Sequence, residues 1–156
     1  MLTEKEFCVY VEKYIDTVYR VAFSILKNPQ DADDMTQETF LKLYTCGHKF
    51  VSDNHVKNWL IKVTINGCKN LFRNIWRKDE NLDDYANQLG FESREESDLF
   101  EAVNSLDQKY RIVVHLFYFE GYSTAEIAQL LSISEKTVST RLRRARGKLK
   151  VILTEV

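Results

Sequence analysis

The sequence predicts an all-α protein made of two small helical domains joined by an acidic linker. Apolar residues recur at steps of three and four, and no stretch alternates apolar and polar residues as a half-buried strand would. Helix-start signals of the form Ser/Thr-x-x-Glu precede several of these runs. Charge is segregated beneath a formal net charge of −1. Residues 57–78 carry six bases and no acid, 79–107 ten acids and one base, and 108–156 nine bases and four acids. Two basic blocks flanking an acidic one suit two modules that face nucleic acid, because local patches rather than net charge set the attraction for phosphate.

Thr3 and Glu6 form a capping-box signal, after which Phe7, Val11, Tyr14, Ile15, Val18, Ala22, Ile25 and Leu26 recur with helical spacing as far as Asn28-Pro29-Gln30. This predicts one long helix or two consecutive ones. A further helix begins near Asp31, where Asp31, Asp33 and Asp34 suit the positive end of the macrodipole, and carries Met35, Thr39, Phe40, Leu43 and Tyr44 inward. Residues 45–54 then read as a loop. From His55 to about Trp76 the spacing predicts a third helix, packed through Trp59, Leu60, Val63, Gly67 and Leu71. These helices make the first domain, residues 1–78.

Residues 79–94 combine acidity with weak periodicity and read as the linker. The second domain, 95–156, opens where Ser93 and Glu96 can cap a helix carrying Leu99, Val103 and Leu106. Asp107 can start the next, with Tyr110, Val113, Val114, Phe117 and Tyr118. Gly121 interrupts. Ser123 and Glu126 then offer a second capping box before Ile127, Ala128, Leu130 and Leu131, residues 131–134 turn the chain, and Ser134 can cap the last helix. Val138, Leu142, Ala145 and Leu149 form that helix's inner stripe, which leaves its bases outside. Two short helices with a tight turn and a basic outer face make a helix-turn-helix, whose second helix enters the major groove. A solvated or membrane-surface face is the competing reading, but Val, Leu, Ala and Leu are a weak apolar face with no aromatic anchor.

Several function classes fall away. No apolar run approaches the roughly 18 residues of a membrane span, and the first residues lack the basic and apolar regions of a signal peptide, so a cytoplasmic protein is expected. Cys8, Cys46 and Cys68 lack the paired spacing of a zinc site or redox motif, which points to reduced, partly buried thiols. His48, His55 and His115 fit no metal motif. With no phosphate-cradling glycine loop and no nucleophile signature, neither an enzyme nor a bound cofactor is expected.

Residues 121–150, GYSTAEIAQLLSISEKTVSTRLRRARGKLK, resemble the promoter-reading helix-turn-helix of bacterial RNA polymerase sigma factors of the extracytoplasmic-function (ECF) group. DADDMTQETFLKLY (31–44) and NWLIKVTINGCKNLFRNIWRK (58–78) resemble the other conserved domain of that family. The resemblance runs from about Tyr14 to Leu149 and is least close in the linker. It implies a factor without an active site that binds core RNA polymerase, takes the −35 promoter element as duplex with the second domain, and captures the −10 element as single strand with the first. An anti-sigma factor is the usual regulator, and the linker would thread through the polymerase.

By the same resemblance Asp34, Gln37, Glu38 and Leu41 would meet the polymerase core. Lys62, Asn66, Lys69, Asn70, Arg73, Arg77 and Lys78 would serve the −10 element, with a base pocket built from the loop that holds His48, Lys49, Phe50, Asn54 and His55; Phe50 is equally a core candidate. Ser139, Thr140, Arg143 and Arg144 would face −35 base edges, and Lys136, Thr137, Arg141, Arg146 and Lys148 would meet phosphates. Ile65 stands where the family often has Arg and Asn70 where it often has Asp, and Trp76 either packs on the core or stacks on a base. A stand-alone helix-turn-helix regulator binding an operator as a dimer is one rival. A partner-binding bundle that has lost DNA binding is the other.

Overall fold

A computed structural model describes residues 1–74 and 94–154. The chain divides into two compact units, Met1–Arg77 and Lys78–Val156. Trp76, Arg77, Lys78, the expected Ser93 cap and residues 79–93 of the expected linker lie outside the described residues; Arg94, expected in the linker, already begins a helix.

In the first unit the capping box forms as its spacing requires. The Thr3 hydroxyl accepts from the Glu6 amide at 3.1 Å, and the Glu6 carboxylate accepts from the Thr3 amide at 3.0 Å. One uninterrupted helix, α1 (Glu4–Leu26), follows. It ends at Lys27, whose backbone is left-handed with φ 55°. Asn28 then caps α2 (Pro29–Thr45) by accepting from the Asp31 amide at 3.0 Å. The Asn-Pro pair therefore starts a helix as well as ending the preceding run. Proline suits the first helical position because its fixed φ is helical and its missing N–H would have no partner there.

Helix α3 (Asp53–Asn74) packs against both α1 and α2. A helix wedged between two others buries a wide stripe, and here it is Val56, Leu60, Ile61, Thr64, Ile65 and Cys68, each 1% exposed or less. The expected stripe of Trp59, Val63, Gly67 and Leu71 is only partly buried. At 100° per residue the true inner face is turned by about a quarter of the helix from the expected one. Ile15 and Tyr44, expected inside, are 41% and 45% exposed. The hydroxyls that do go inside are satisfied: Thr36 donates to the Ala32 carbonyl and Thr64 to that of Leu60, both at 2.7 Å, and the Thr39 and Thr64 hydroxyls lie 3.3 Å apart. Gly67 leaves room for the Met35 side chain of α2, since a Cβ there would lie 2.7 Å from Met35 Sδ.

The second unit contains α4 (Arg94–Asn104), α5 (Gln108–Val114), α6 (Thr124–Leu131) and α7 (Glu135–Thr154). Leu106, Tyr110, Val114 and Ala145 are its buried nucleus, with Val103, Leu149 and Ile152 packed on them. Leu106 falls beyond the end of α4, and Leu99 on that helix is 40% exposed. Arg111 is the one base of the 108–156 block that goes inside, 7% exposed, where its guanidinium donates to the Leu106 carbonyl at 2.6 Å. Burial lowers its pKa and the neighbouring Asp107 carboxylate opposes that.

After Val114 the helix widens into one π turn, His115–Phe119. A π turn holds an extra residue, so every later side chain slips around the axis. Leu116 is consequently buried, Phe117 is half-buried, and Tyr118, expected inward, is 52% exposed. Gly121, with φ +75°, then reverses the chain in a conformation that favours glycine.

The three cysteines differ in environment: Cys8 is exposed, Cys46 half-buried and Cys68 buried. Burial pushes the Cys68 thiol from 9.0 up to about 12, and the Glu38 carboxylate adds to the shift. An acid with a raised pKa in the folded state keeps its proton while the unfolded chain releases one, so folding stability falls between pH 9 and 12 by up to about 1.4 kcal/mol per unit. Urea midpoints of the wild type should thus decline relative to Cys68→Ala as pH rises from 8 to 10; parallel curves would refute this account.

Candidate polymerase and promoter interfaces

The helix-turn-helix is held by local hydrogen bonds that its sequence specifies. Ser123 and Glu126 cap α6 reciprocally, at 3.1 and 3.0 Å. Ser132 takes the left-handed conformation, φ 57°, that ends α6. The Ile133 amide returns to the Ala128 carbonyl at 3.1 Å. Ser134 accepts from the Thr137 amide at 3.1 Å, and its hydroxyl lies 2.7 Å from that of Thr137. Across the turn Thr124 donates to Glu135 at 2.9 Å, tying the first residue of α6 to the first of α7. The relative setting of the two helices is therefore fixed at both ends of the turn.

Helix α7 buries Val138, Leu142 and Ala145, with Leu149 half-buried. Lys136, Ser139, Arg143, Arg144, Arg146 and Lys148 are exposed, and Thr137, Thr140 and Arg141 half-buried. The cations are not equally free. Arg146 donates through Nε to the Tyr118 hydroxyl, and its guanidinium lies 5.6 Å from the ring centres of both Phe117 and Tyr118. Lys148 sits 5.7 Å from the Tyr110 ring. Along that flank a groove of about 560 Å³ is lined by Leu106, Val151 and Ile152 together with Asp107, Arg144 and Lys148.

In the first unit Asp34, Gln37, Glu38 and Leu41 share one face of α2 through steps of three, one and three, and all four are exposed. Leu41 is 62% exposed, and Glu38 pairs with Lys42 at 3.4 Å. An exposed leucine one turn beyond carboxylates and an amide makes a mixed apolar and acidic surface. On α3, Lys62, Asn66 and Asn70 are exposed and Lys69 half-buried, while Arg73 lies in the helix's last turn.

The loop before α3 carries an aromatic cluster. Phe50 meets Trp59 at 5.8 Å and His55 at 5.1 Å between ring centres, and His48 meets Trp59 at 5.9 Å. Phe50 thus packs on the edge of the core and still faces two imidazoles. His55 Nδ1 accepts from the Val51 amide at 3.2 Å, closing the loop, and Asn54 is exposed beside it. The start of α3 is tied to α1: Lys13 donates to the Asp53 carboxylate at 2.6 Å, and the Tyr14 hydroxyl to the Asp53 carbonyl at 3.2 Å. The hydrogen bond to Asp53 raises the Lys13 pKa.

Comparison with known families decides what the two units are. Residues 10–78 match sigma-70 region 2, and residues 97–149 match sigma-70 region 4. RNA polymerase sigma factor SigV of Bacillus subtilis is 30% identical over 141 residues, covering 88% of this chain and 84% of that one. The chain belongs to the sigma-70 family, in its ECF group. The ECF RNA polymerase sigma factor SigM of B. subtilis is 27% identical over 90% of this chain and 91% of its own. Among solved structures, CnrH in complex with the cytosolic domain of CnrY aligns with a TM-score of 0.71 at 26% identity, over 98% of this chain and 90% of that one. The sigma factor RpoE, in complex with the anti-sigma factor NepR from Bartonella quintana, aligns with a TM-score of 0.75 at 19% identity, over 96% of this chain and 98% of that one.

The protein is therefore a transcription initiation factor of the promoter-directing kind. Among the described residues no helix of this sigma factor is long and apolar enough to cross a membrane, and no group of His, Cys, Asp and Glu side chains is placed to hold a metal. Periodicity missed Lys13, Asp53 and Tyr118. The first two meet across forty residues of chain and the last is displaced by the π turn, so no local pattern signals them.

Exposed candidates can be tested without damaging the fold. Leu41→Ala and Arg143→Ala should leave unfolding free energy within about 0.5 kcal/mol of wild type. Leu142→Ala, at a position 2% exposed, should cost about 2–5 kcal/mol. Urea denaturation of the full chain distinguishes these outcomes.

Proposed function

We propose that the first unit of this ECF sigma factor both docks on core RNA polymerase and captures the opened −10 strand, while the second reads −35 duplex. Docking falls to Asp34, Gln37, Glu38 and Leu41, of which the exposed leucine would be desolvated on contact while the carboxylates set the orientation. Capture falls to the loop cluster and to Asn54, Lys62, Asn66, Lys69, Asn70 and Arg73, with Arg77 beyond the described residues. An unstacked base needs a π-face, and Phe50, His48 and Trp59 supply rings at the start of a helix whose charged residues are all basic between 57 and 74.

The factor works without an active site of its own. Its contribution is differential binding, in which contacts to captured bases offset the few kcal/mol needed to unpair them. An anti-sigma partner would act by covering surfaces that polymerase needs, and the exposed Leu41 and Tyr44 on α2 are such a surface. A cytoplasmic site of action follows from this role.

The observation that carries the reading is the combination of a capped helix-turn-helix with a mixed apolar and acidic α2 face in one chain. A dimeric operator-binding regulator needs only the former. Adding the full chain to sigma-free core polymerase with a promoter library should give transcripts that start at specific sites; specific duplex binding by the free protein, with no core-dependent transcript, would favour the stand-alone regulator instead.

Base readers and phosphate contacts should separate in the same assay. Arg144→Ala should weaken some promoters by about 1–3 kcal/mol and spare others, since an arginine pairing with guanine carries that much discrimination. Lys148→Ala should weaken all promoters alike and reduce the salt slope of binding by about one. Identical effects of both variants on every promoter would refute this division of roles.

A further inference from the structure

We infer that Tyr118 is a positioning residue for promoter binding: the π turn at His115–Phe119 builds an aromatic cradle that holds Arg146 in place as a fixed phosphate contact at the edge of α7. This rests on α7 being the DNA-facing helix and adds a function for a residue outside the helix-turn-helix.

Three observations converge on Tyr118. Regular α-helical spacing after Tyr110, Val113 and Val114 would turn it into the core, yet the π turn leaves it 52% exposed, with Phe119 beside it 55% exposed. Its hydroxyl is spent on Arg146 Nε, and its ring and that of Phe117 both lie 5.6 Å from the same guanidinium. Among the described residues Arg146 has no acidic partner. A bond at Nε leaves both terminal nitrogens, with four N–H donors, for an anionic ligand. Arg146 is itself exposed, and on the helical wheel it lies about 20° from Ser139 and about 60° from Arg143.

An exposed arginine has many rotamers, and binding phosphate ordinarily means losing them. A side chain already held by two rings and a hydrogen bond loses fewer, so the cradle lowers the ordering cost of the contact. The chemistry needs this position to be an acceptor, which a tyrosine hydroxyl is and a phenylalanine edge is not. Phosphates recur at the same place in every B-form duplex, so fixing this cation strengthens binding without choosing a sequence.

The test is a double-mutant cycle on the full chain assembled with core polymerase, using a promoter duplex and the same duplex with a scrambled −35 element, titrated in KCl. Tyr118→Phe should weaken binding to the intact promoter roughly two- to tenfold with an unchanged salt slope, since no charge is removed. Arg146→Ala should lower that slope by about 0.9, and in its background Tyr118→Phe should have no further effect. Arg146→Lys, which keeps the charge but lacks Nε, should also be insensitive to Tyr118→Phe. Additive losses from Tyr118→Phe and Arg146→Ala, or an unchanged slope in Arg146→Ala, would overturn the proposal while wild-type promoter recognition stands. Failure of the wild type to bind the intact −35 element better than the scrambled one would overturn the parent reading of α7 as well. Equal thermal midpoints for wild type and Tyr118→Phe, expected for a half-exposed hydroxyl, separate positioning from support of the fold.

Discussion

The outer face of α7 depends on what its inner face buries. Val138 and Ala145 are wholly inside and Leu142 is 2% exposed, a stripe too narrow and too apolar to admit a guanidinium. Burying an unpaired charge costs several kcal/mol, more than any single surface contact returns. Once that stripe is packed against α5 and α6, the bases of α7 can only be placed on the remaining arc. The same constraint governs the exception. Arg111 is inside because a backbone carbonyl at 2.6 Å and the Asp107 carboxylate compensate it, and in return it holds the turn between α4 and α5.

In the first unit the corresponding constraint is the wide buried face of α3. Being covered by both α1 and α2, it buries side chains over about half its circumference, mostly aliphatic with Thr64 and Cys68 among them, and leaves one polar arc. Ile65 belongs to the covered part, at 0% exposure, so an arginine there would have to leave the core. Helix α2 solves a related problem with two faces, Ala32, Met35, Thr39 and Leu43 inward and Asp34, Gln37, Glu38 and Leu41 outward. Its inner face is short of aliphatic bulk, and two threonines and a glycine opposite Met35 let α3 come close enough to fill it.

The parts of this architecture that were legible beforehand are those encoded within a few residues. Both capping boxes, the Ser134 cap and the α7 stripe follow from spacing alone, because each is a contact between neighbours three or four positions apart. The helix-turn-helix geometry was legible for the same reason. Other features were not, three of them for reasons that can be named. Asn28-Pro29 reads as a stop, and only the Asn28 side chain on the Asp31 amide shows it to be a start. The face of α3 was misjudged because Trp59 draws a periodic pattern toward itself, although a side chain of that size is accommodated at the rim of the core more easily than at its centre. Tyr118 was misplaced because periodicity assumes a uniform helix, and one π turn breaks that assumption for everything after it.

The cations of α7 are supported unequally: among the described residues, two of the four proposed for phosphates lie on aromatic rings and neither of the two proposed for base edges does. Arg146 and Lys148, assigned to phosphates, lie on the aromatic rings of α5 and its π turn. Arg143 and Arg144, assigned to base edges, have no ring among the described residues. Fixing a long side chain in advance helps when its partner is the same in every duplex, because the lost rotamer freedom is then never needed. A side chain that must pair with one base and refuse others gains nothing from being fixed before it has met one: its discrimination comes from hydrogen bonds that the wrong base leaves unmade. Rigid flanks and a mobile centre are therefore what a helix requires if it is to stay on any duplex long enough to test the sequence between its anchors.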